Sequence, residues 1–482
     1  MNPNNKVSQH NLSSRGLQIH EFSLTNAELS HLDQEDLQES PSNSTQQANL
    51  KQLQQKLRTR TATIGVLGMG YVGLPLVVAF AEAGYKTFGF DTSSALTSTL
   101  GRGESHVGDV ASERLQEILK SEKFTATNDF EELAHCDVTI ICVPTPLTPT
   151  REPDLSYVRS ATMAVRDHLT SGQLVVLEST TYPGTTEEVV KPLLEETNLV
   201  AGVDFFLAFS PERIDPCNAQ FPFSKVAKVV GGYTSACCAA AVETYNAVVE
   251  QTVPVSCTRT AELTKLLENI FRSVNIALVN EMALLCDRMG LDVWEVVESA
   301  ATKPYGFTKF LPGPGLGGHC IPLDPFYLSW KARQYNFQTN FIELAGDVNR
   351  AMPRHVVDKV IRALNNRGKA VRGANIVLLG MSYKPNVSDC RESPSLEVME
   401  LLWGMGANVL YNDPHVEKVR LHGETFTSQS LDSTLQSADC VVLLTNHRAY
   451  DYESIAAQAS LILDTRNAFK GVQNLGAQII KL

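Results

Sequence analysis

A lone thiol, Cys320, follows glycines at 313, 315, 317 and 318 in the stretch Gly313-Pro-Gly-Leu-Gly-Gly-His-Cys-Ile-Pro-Leu-Asp-Pro325. Glycine lets backbone approach a ligand closely and adopt φ > 0 where a side chain would clash. Asp324 stands between Pro322 and Pro325, which hold the loop stiff. A thiol in an open glycine loop beside a fixed acid suits a cysteine nucleophile. The same residues also suit a tight turn around a buried structural cysteine. Upstream, Lys265 and Asn269 lie four apart in a long helical pattern from Ala261 to Met289, so both project from one face. Apolar neighbours (Leu263, Leu266, Leu267, Ile270) bury part of that face, where a lysine either works or snorkels.

A second set of residues suits a dinucleotide. Thr63-Ile-Gly-Val-Leu reads as a buried strand, followed by Gly68-Met-Gly-Tyr-Val-Gly73 and an apolar helix from Leu74 to Ala83. The next strand ends at Asp91, 18 residues beyond the last glycine. In that context the glycines permit a tight turn, and the helix N-terminus offers N–H groups to a pyrophosphate. Asp91 is expected to accept hydrogen bonds from the adenosine ribose and to repel a 2′-phosphate, which favours NAD over NADP. Its alternative use is to cap the Asp-Thr-Ser-Ser turn. Further strands end in Pro144-Thr-Pro-Leu, in Ser179-Thr-Thr-Tyr-Pro-Gly and in Ser210-Pro-Glu-Arg. Ligands collect at the carboxyl ends of such strands, which places Thr145, Ser179 and Thr180 near cofactor and substrate and adds the carboxylate of Glu212.

These residues need a large scaffold, and 482 residues suffice for two to four domains. Residues 1–60 read as a disordered extension, disordered to about residue 48 and then a short lead-in helix on Leu50, Leu53 and Leu57. This tail is either dispensable or regulatory. Residues 61–256 read as a Rossmann domain, 257–366 as a helical domain carrying the Cys320 loop and forming a dimer spine, and 367–482 as a second α/β domain. The fold class is therefore α/β: two doubly wound Rossmann-like domains joined by long helices. In the last domain Lys384, Arg391 and Arg466 stand at strand ends, suited to an anionic ligand or to ordinary surface charge. A net charge of −12 argues against nucleic-acid binding. The ten cysteines form no C-x-x-C pair and no cluster at metal spacing, which points to reduced thiols, no metal and a cytoplasmic enzyme. No apolar run suits a membrane span or a signal peptide.

Residues 61–482 together resemble the UDP-glucose/GDP-mannose dehydrogenase family, and within it the UDP-N-acetylglucosamine 6-dehydrogenases. The resemblance is carried by Gly68-Met-Gly-Tyr-Val-Gly-Leu-Pro, Cys142-Val-Pro-Thr-Pro, Arg151-Glu-Pro-Asp-Leu-Ser and Glu178-Ser-Thr-Thr-Tyr-Pro-Gly. Ser210-Pro-Glu-Arg, Ala261-Glu-Leu-Thr-Lys-Leu-Leu-Glu-Asn, the Cys320 loop, Lys384-Pro-Asn-Val and Asp464-Thr-Arg complete the set. It implies two NAD-dependent oxidations at C6 of a UDP-sugar, through a thiohemiacetal and a thioester on Cys320. It further implies that Lys265 and Asn269 hold the oxyanion and that Asp324 acts with Lys265 in base catalysis. Glu212 would assist hydrolysis, and Thr180 would position the water. Gly68, Gly70, Tyr71, Val72, Gly73, Asp91, Thr145, Ser179 and Arg391 would meet NAD. Gly317, Lys384 and Arg466 would join Glu212, Lys265 and Asn269 around the UDP-sugar, in a homodimer or higher oligomer. The chain departs from the family pattern at Ile214 and Cys217, where relatives more often carry an acid and a glycine, and at Ser388, which replaces a commoner acid.

Overall fold

Two parallel sheets grow from short apolar runs that turn residues interrupt. The computed structural model describes residues 41–148, 150–214, 221–318, 321–473 and 476–482. Of the tail expected to be disordered to about residue 48, residues 1–40 lie outside them, as do Cys217 and Cys320.

The first sheet contains β1 (Thr63–Leu67), β2 (Lys86–Phe90), β3 (Phe124–Thr127) and β4 (Val138–Ile141). It continues with β5 (Leu174–Leu177), β6 (Phe206–Phe209), β7 (Lys228–Gly232) and β8 (Thr252–Val255). The strand order is β3-β2-β1-β4-β5-β6-β7-β8, parallel except between β6 and β7. Every residue of β4, β5 and β6 is buried, as expected of strands covered on both faces. The order reverses between β1 and β4, and a ligand crevice opens there at the carboxyl ends.

The second sheet joins β9 (Asn375–Leu379), β10 (Asn408–Asn412), β13 (Cys440–Leu443), β14 (Leu461–Asp464) and β15 (Gln478–Lys481) in the order β10-β9-β13-β14-β15. A separate hairpin pairs β11 (Lys418–Leu421) with β12 (Glu424–Thr427). Between the sheets run the central helix Thr258–Met289, the helix Val293–Ala300, the helix Asp324–Arg333 and the helix Asn340–Asn365. The central helix stops at Gly290, whose φ of 69° supplies a left-handed cap. The doubly wound fold with long connecting helices is thus the one its apolar runs predict.

The lead-in helix departs from expectation. It spans Pro41–Arg58, so it begins well before residue 48, and its leucines are part of the scaffold. Leu53 and Leu57 are 2% and 1% exposed and pack with Ile64, Val138 and Leu174. Burying each contributes about 1.5–3 kcal/mol. Lys56 pairs with Asp137 at 2.6 Å, and the Asn49 amide donates to the Ser171 hydroxyl. Both partners precede strands, so the helix covers the amino ends of the sheet, opposite the crevice.

Candidate active site

The glycine turn after β1 is built for close approach. Gly68 has φ +93°, and a Cβ there would lie 2.5 Å from the Cys142 carbonyl oxygen. A Cβ on Gly73 would run into the Gly68 carbonyl, whereas one on Gly70 would meet nothing within 4 Å. Two glycines therefore close the turn, and the third leaves open space before the N-terminus of the helix Gly73–Glu82, a cradle that fits a pyrophosphate. Asp91 takes up its capping use and adds a brace to the glycine turn. Its carboxylate accepts from the Met69 N–H at 3.1 Å and from the Ser93 N–H at 2.9 Å, bracing the turn and capping the next one. Tyr71 is 38% exposed beside Val72, and the Arg391 guanidinium lies 5.2 Å from its ring centroid.

Asn269 on the central helix and Asp324 meet in a buried pair, the Asn269 Nδ2 donating to Asp324 Oδ2. Burial pushes the Asp324 carboxyl up to about 6, against the pull of the Lys265 charge and the Asn269 hydrogen bond. Asp324 opens its own helix. One turn later Tyr327 donates its hydroxyl to the Thr145 carbonyl. Thr145 Oγ1 donates to the Thr180 carbonyl at 2.8 Å, and Ser179 Oγ donates to the Val143 carbonyl at 2.8 Å. Asp324, Asn269, Thr145 and Thr180 thus belong to one connected frame, with Lys265 acting on it by charge. The Ser179 and Thr145 hydroxyls brace the loops that carry them.

The glycine loop before Cys320 threads between the long helices and the second sheet. Gly315 and Gly318 have φ of +135° and +87°. A Cβ on Gly317 would lie 2.7 Å from Tyr383 Cβ and 2.9 Å from Pro394 Cδ, and one on Gly313 would lie 2.6 Å from Arg466 Nη1. These glycines let protein segments approach each other, a use beyond the ligand approach expected of them. The Gly313 N–H donates to Asn280 Oδ1 at 3.0 Å, the Asn280 Nδ2 to Asn349 Oδ1 at 2.9 Å, and the Asn349 Nδ2 to the Ser273 carbonyl at 3.1 Å. Arg466 Nε donates to the Leu444 carbonyl at 2.7 Å, and burial pulls its guanidinium down to about 10 despite Asp464. The Lys384 carbonyl accepts from the Ser382 hydroxyl at 2.9 Å.

Glu212 is held from both sides. Its Oε1 accepts the N–H groups of Arg213 and Ile214, each at 2.6 Å, and its Oε2 lies 3.3 Å from Lys228 Nζ. Sequence reasoning missed Lys228, Glu178, Tyr327 and the Asn280–Asn349 chain as site residues. One signal was available: Lys228 heads the otherwise uncharged strand Lys228-Val-Val-Gly-Gly.

Three segments match the UDP-glucose/GDP-mannose dehydrogenase family: its NAD binding domain over residues 62–249, its central domain over 259–351 and its UDP binding domain over 377–471. The chain belongs to this family. It is an NAD-dependent UDP-sugar dehydrogenase. The UDP-N-acetyl-D-mannosamine dehydrogenase of Pyrococcus horikoshii is 35% identical over 413 residues, covering 84% of this chain and 96% of that protein. Its structure superposes with a TM-score of 0.80 over 87% of this chain and 98% of that one. The NDP-N-acetyl-D-galactosaminuronic acid dehydrogenase of Ralstonia nicotianae is 32% identical over 84% of this chain and 95% of that protein. A UDP-glucose dehydrogenase structure from Pyrobaculum islandicum is 30% identical with a TM-score of 0.78, over 87% and 97% of the two chains. The lead helix precedes the first matched segment of this dehydrogenase. No helix among its described residues is long and apolar enough to cross a membrane.

Proposed function

We propose that this dehydrogenase oxidises the C6 alcohol of a UDP-N-acetylhexosamine to the carboxylate in two hydride steps at one site. The observation that carries the reading is the buried pair beside Lys265 in which Asn269 of the central helix meets Asp324, the first residue of the helix that follows the Cys320 loop. Lys265 and Asp324 move the C6 hydroxyl proton through water, and Asn269 with Lys265 holds the oxyanion. Losing one such donor costs about 2.7–4 kcal/mol in the barrier. NAD, held by the Gly68–Gly73 turn, Asp91, Thr145 and Arg391, supplies the hydride acceptor. An aldehyde has no readily removable hydride, so the Cys320 thiolate adds to it and restores an sp³ carbon. After the second hydride leaves, the thioester is hydrolysed with Glu212 as base and water placed by Thr180. Gly317, Lys384 and Arg466 line the UDP-sugar side.

We take the sugar to be N-acetylglucosamine, as the motif resemblance implies. UDP-N-acetylmannosamine is the second reading, favoured by the name of the Pyrococcus relative. The uronate formed suits surface-polysaccharide synthesis. Leu263, Leu267, Phe271, Leu278 and Leu285 follow one another at four- and seven-residue steps along the central helix, all at least 43% exposed, and a second copy of the chain covers that stripe. The deciding experiment counts NADH per sugar over UDP-N-acetylglucosamine, UDP-N-acetylmannosamine, UDP-N-acetylgalactosamine and UDP-glucose. Two NADH per N-acetylated sugar are expected, with Cys320→Ser stalled after the first. One NADH and released aldehyde, or turnover of UDP-glucose alone, would overturn the reading.

A further inference from the structure

Glu178, Lys228 and Glu212 converge at the carboxyl end of the first sheet, and the register explains why. Phe209 pairs with Gly231 and Ala208 with Gly232 in the antiparallel β6–β7 ladder. Continuing that count past the end of β6 sets Glu212 opposite Lys228. The Lys228 ammonium lies 2.9 Å from Glu178 Oε2 and 3.3 Å from Glu212 Oε2. The other oxygen of Glu178 accepts the Tyr245 hydroxyl at 2.5 Å. Side-chain exposure is 0% for Glu178, 4% for Lys228 and 13% for Glu212. One cation therefore serves two anions, and Glu212 is the member that keeps most contact with water.

We propose that Lys228 and Glu178 are positioning residues for thioester hydrolysis, holding the Glu212 carboxylate in place and keeping it able to accept a proton from the attacking water. The inference rests on the thioester reading given above. In this step a water O–H bond breaks, the proton passes to Glu212 and the oxygen bonds to C6. The C6–S bond then breaks with its electron pair leaving on the Cys320 sulfur. The new carboxylic acid ionises, and Glu212 releases its proton to solvent. No oxidant is consumed, because both hydrides have already left.

The charge arrangement supplies the reason. A buried carboxylate facing an undivided ammonium holds its charge tightly and is a poor proton acceptor. Glu178 takes the shorter contact with Lys228 and so draws that field away from Glu212. Without Lys228, two carboxylates would face each other, and one would take up a proton. The other groups around Glu212 leave this balance intact. Burial and Glu178 push the Cys142 thiol well up, so it stays neutral. The Tyr245 hydroxyl is likewise pushed up by burial and by Glu178. Arg213 turns away to Glu268 on the central helix, with contacts of 2.6 and 3.2 Å. That bidentate pair anchors the Glu212 turn one residue from Asn269.

The test follows acyl-enzyme breakdown against pH in the full chain, by NADH burst and acid-quenched intact mass, for Glu178→Gln, Lys228→Met and Lys228→Arg. Glu178→Gln is expected to move the acid limb of breakdown down by about one pH unit, and Lys228→Met to move it up by about as much. Lys228→Met should also accumulate the acyl adduct and slow turnover roughly tenfold at pH 7, with the two-NADH burst kept and Lys228→Arg largely restoring turnover. A merely structural role does not displace the limb in opposite directions. Limbs that stay put, or that move the same way in both variants, overturn the proposal. If Lys228→Met does not fold, Glu178→Gln decides alone: a limb displaced downward supports the proposal and an unmoved limb overturns it. An acyl adduct that never appears in any variant sinks the thioester reading and this inference with it. An adduct whose breakdown ignores Glu178→Gln sinks this inference alone.

Discussion

The guanidinium of Arg391 lies over the ring of Tyr71, 5.2 Å from its centroid, and joins the loop after β9 to the glycine turn after β1. Asp389 grips the same guanidinium at 2.6 Å and aims it. Residues more than 300 positions apart thereby bring the second α/β unit against the glycine turn of the first.

Arg391 is half exposed, so this cation–π contact contributes about 0.5–1 kcal/mol. Arg391→Ala and Tyr71→Ala should each raise KM for NAD about two- to fivefold and leave KM for the UDP-sugar much less changed. The double variant should lose less than the two single losses combined. Fully additive losses in a double-mutant cycle would show that the two side chains act separately.

Asp324 should make both stability and chemistry depend on pH. Its folded value of about 6 stands above the ordinary 3.8, so between those values the folded chain binds more protons than the unfolded one. The contribution of this group is therefore largest below about pH 4 and declines as pH rises to about 6. The full effect is on the order of 3 kcal/mol. Asp324→Asn should flatten that decline in denaturant titrations at pH 4 and pH 7. It should also abolish an acid limb near pH 6 in the first NADH burst while lowering the burst rate roughly 10²-fold. An unchanged limb in Asp324→Asn would assign it to another group.

Gly317→Ala would force a methyl against Tyr383 Cβ, Pro394 Cδ and the Glu392 carbonyl, at 2.7, 2.9 and 3.0 Å. Two of these atoms sit close to the main chain and the third belongs to it, so the loop or the second sheet must move. The expected cost is about 1–3 kcal/mol, with kcat falling at least tenfold because the displaced loop carries Cys320. Thermal unfolding and NADH production on the purified variant check both parts, and wild-type kcat would show that the loop has slack.

Leu53→Ala and Leu57→Ala in the lead helix should each cost about 2–5 kcal/mol in urea unfolding. KM for NAD and for UDP-sugar should stay at wild-type values, because the helix covers the end of the sheet away from the crevice. Deleting residues 1–40 should leave stability nearly unchanged, whereas deleting residues 1–58 should not. Equal stability of the two truncations would contradict the packing of these leucines.

Much of the scaffold was legible as local pattern. The strands β5, β9, β13 and β14 fall on runs of Val, Ile and Leu that predict buried strands, and β1 and β4 fall on such runs interrupted once by Gly65 and Thr139. The spacing of Gly68, Gly70 and Gly73, and the shared face of Lys265 and Asn269, are properties of one turn and one helix. Such features depend on residues within a few positions of each other, and periodicity records them. The edge strand β15 and the β11–β12 hairpin carry weaker patterns because water reaches one side, and they went unread.

What the sequence determined by itself was a glycine turn after a strand, an acid ending the next strand, and a lysine and an amide on one helix. Tertiary structure alone decided that Asn269 meets Asp324, that Gly317 lies under Tyr383, and that Lys228 divides its charge between Glu178 and Glu212. The partners stand on different elements or loops, 16 residues apart for Glu212 and Lys228 and 50 or more for the others, so their separation depends on packing. A side chain's type states what it can bond to. Which partner comes within 3 Å depends on strand register, helix packing and exclusion of water, and these exist only once the chain has closed on itself.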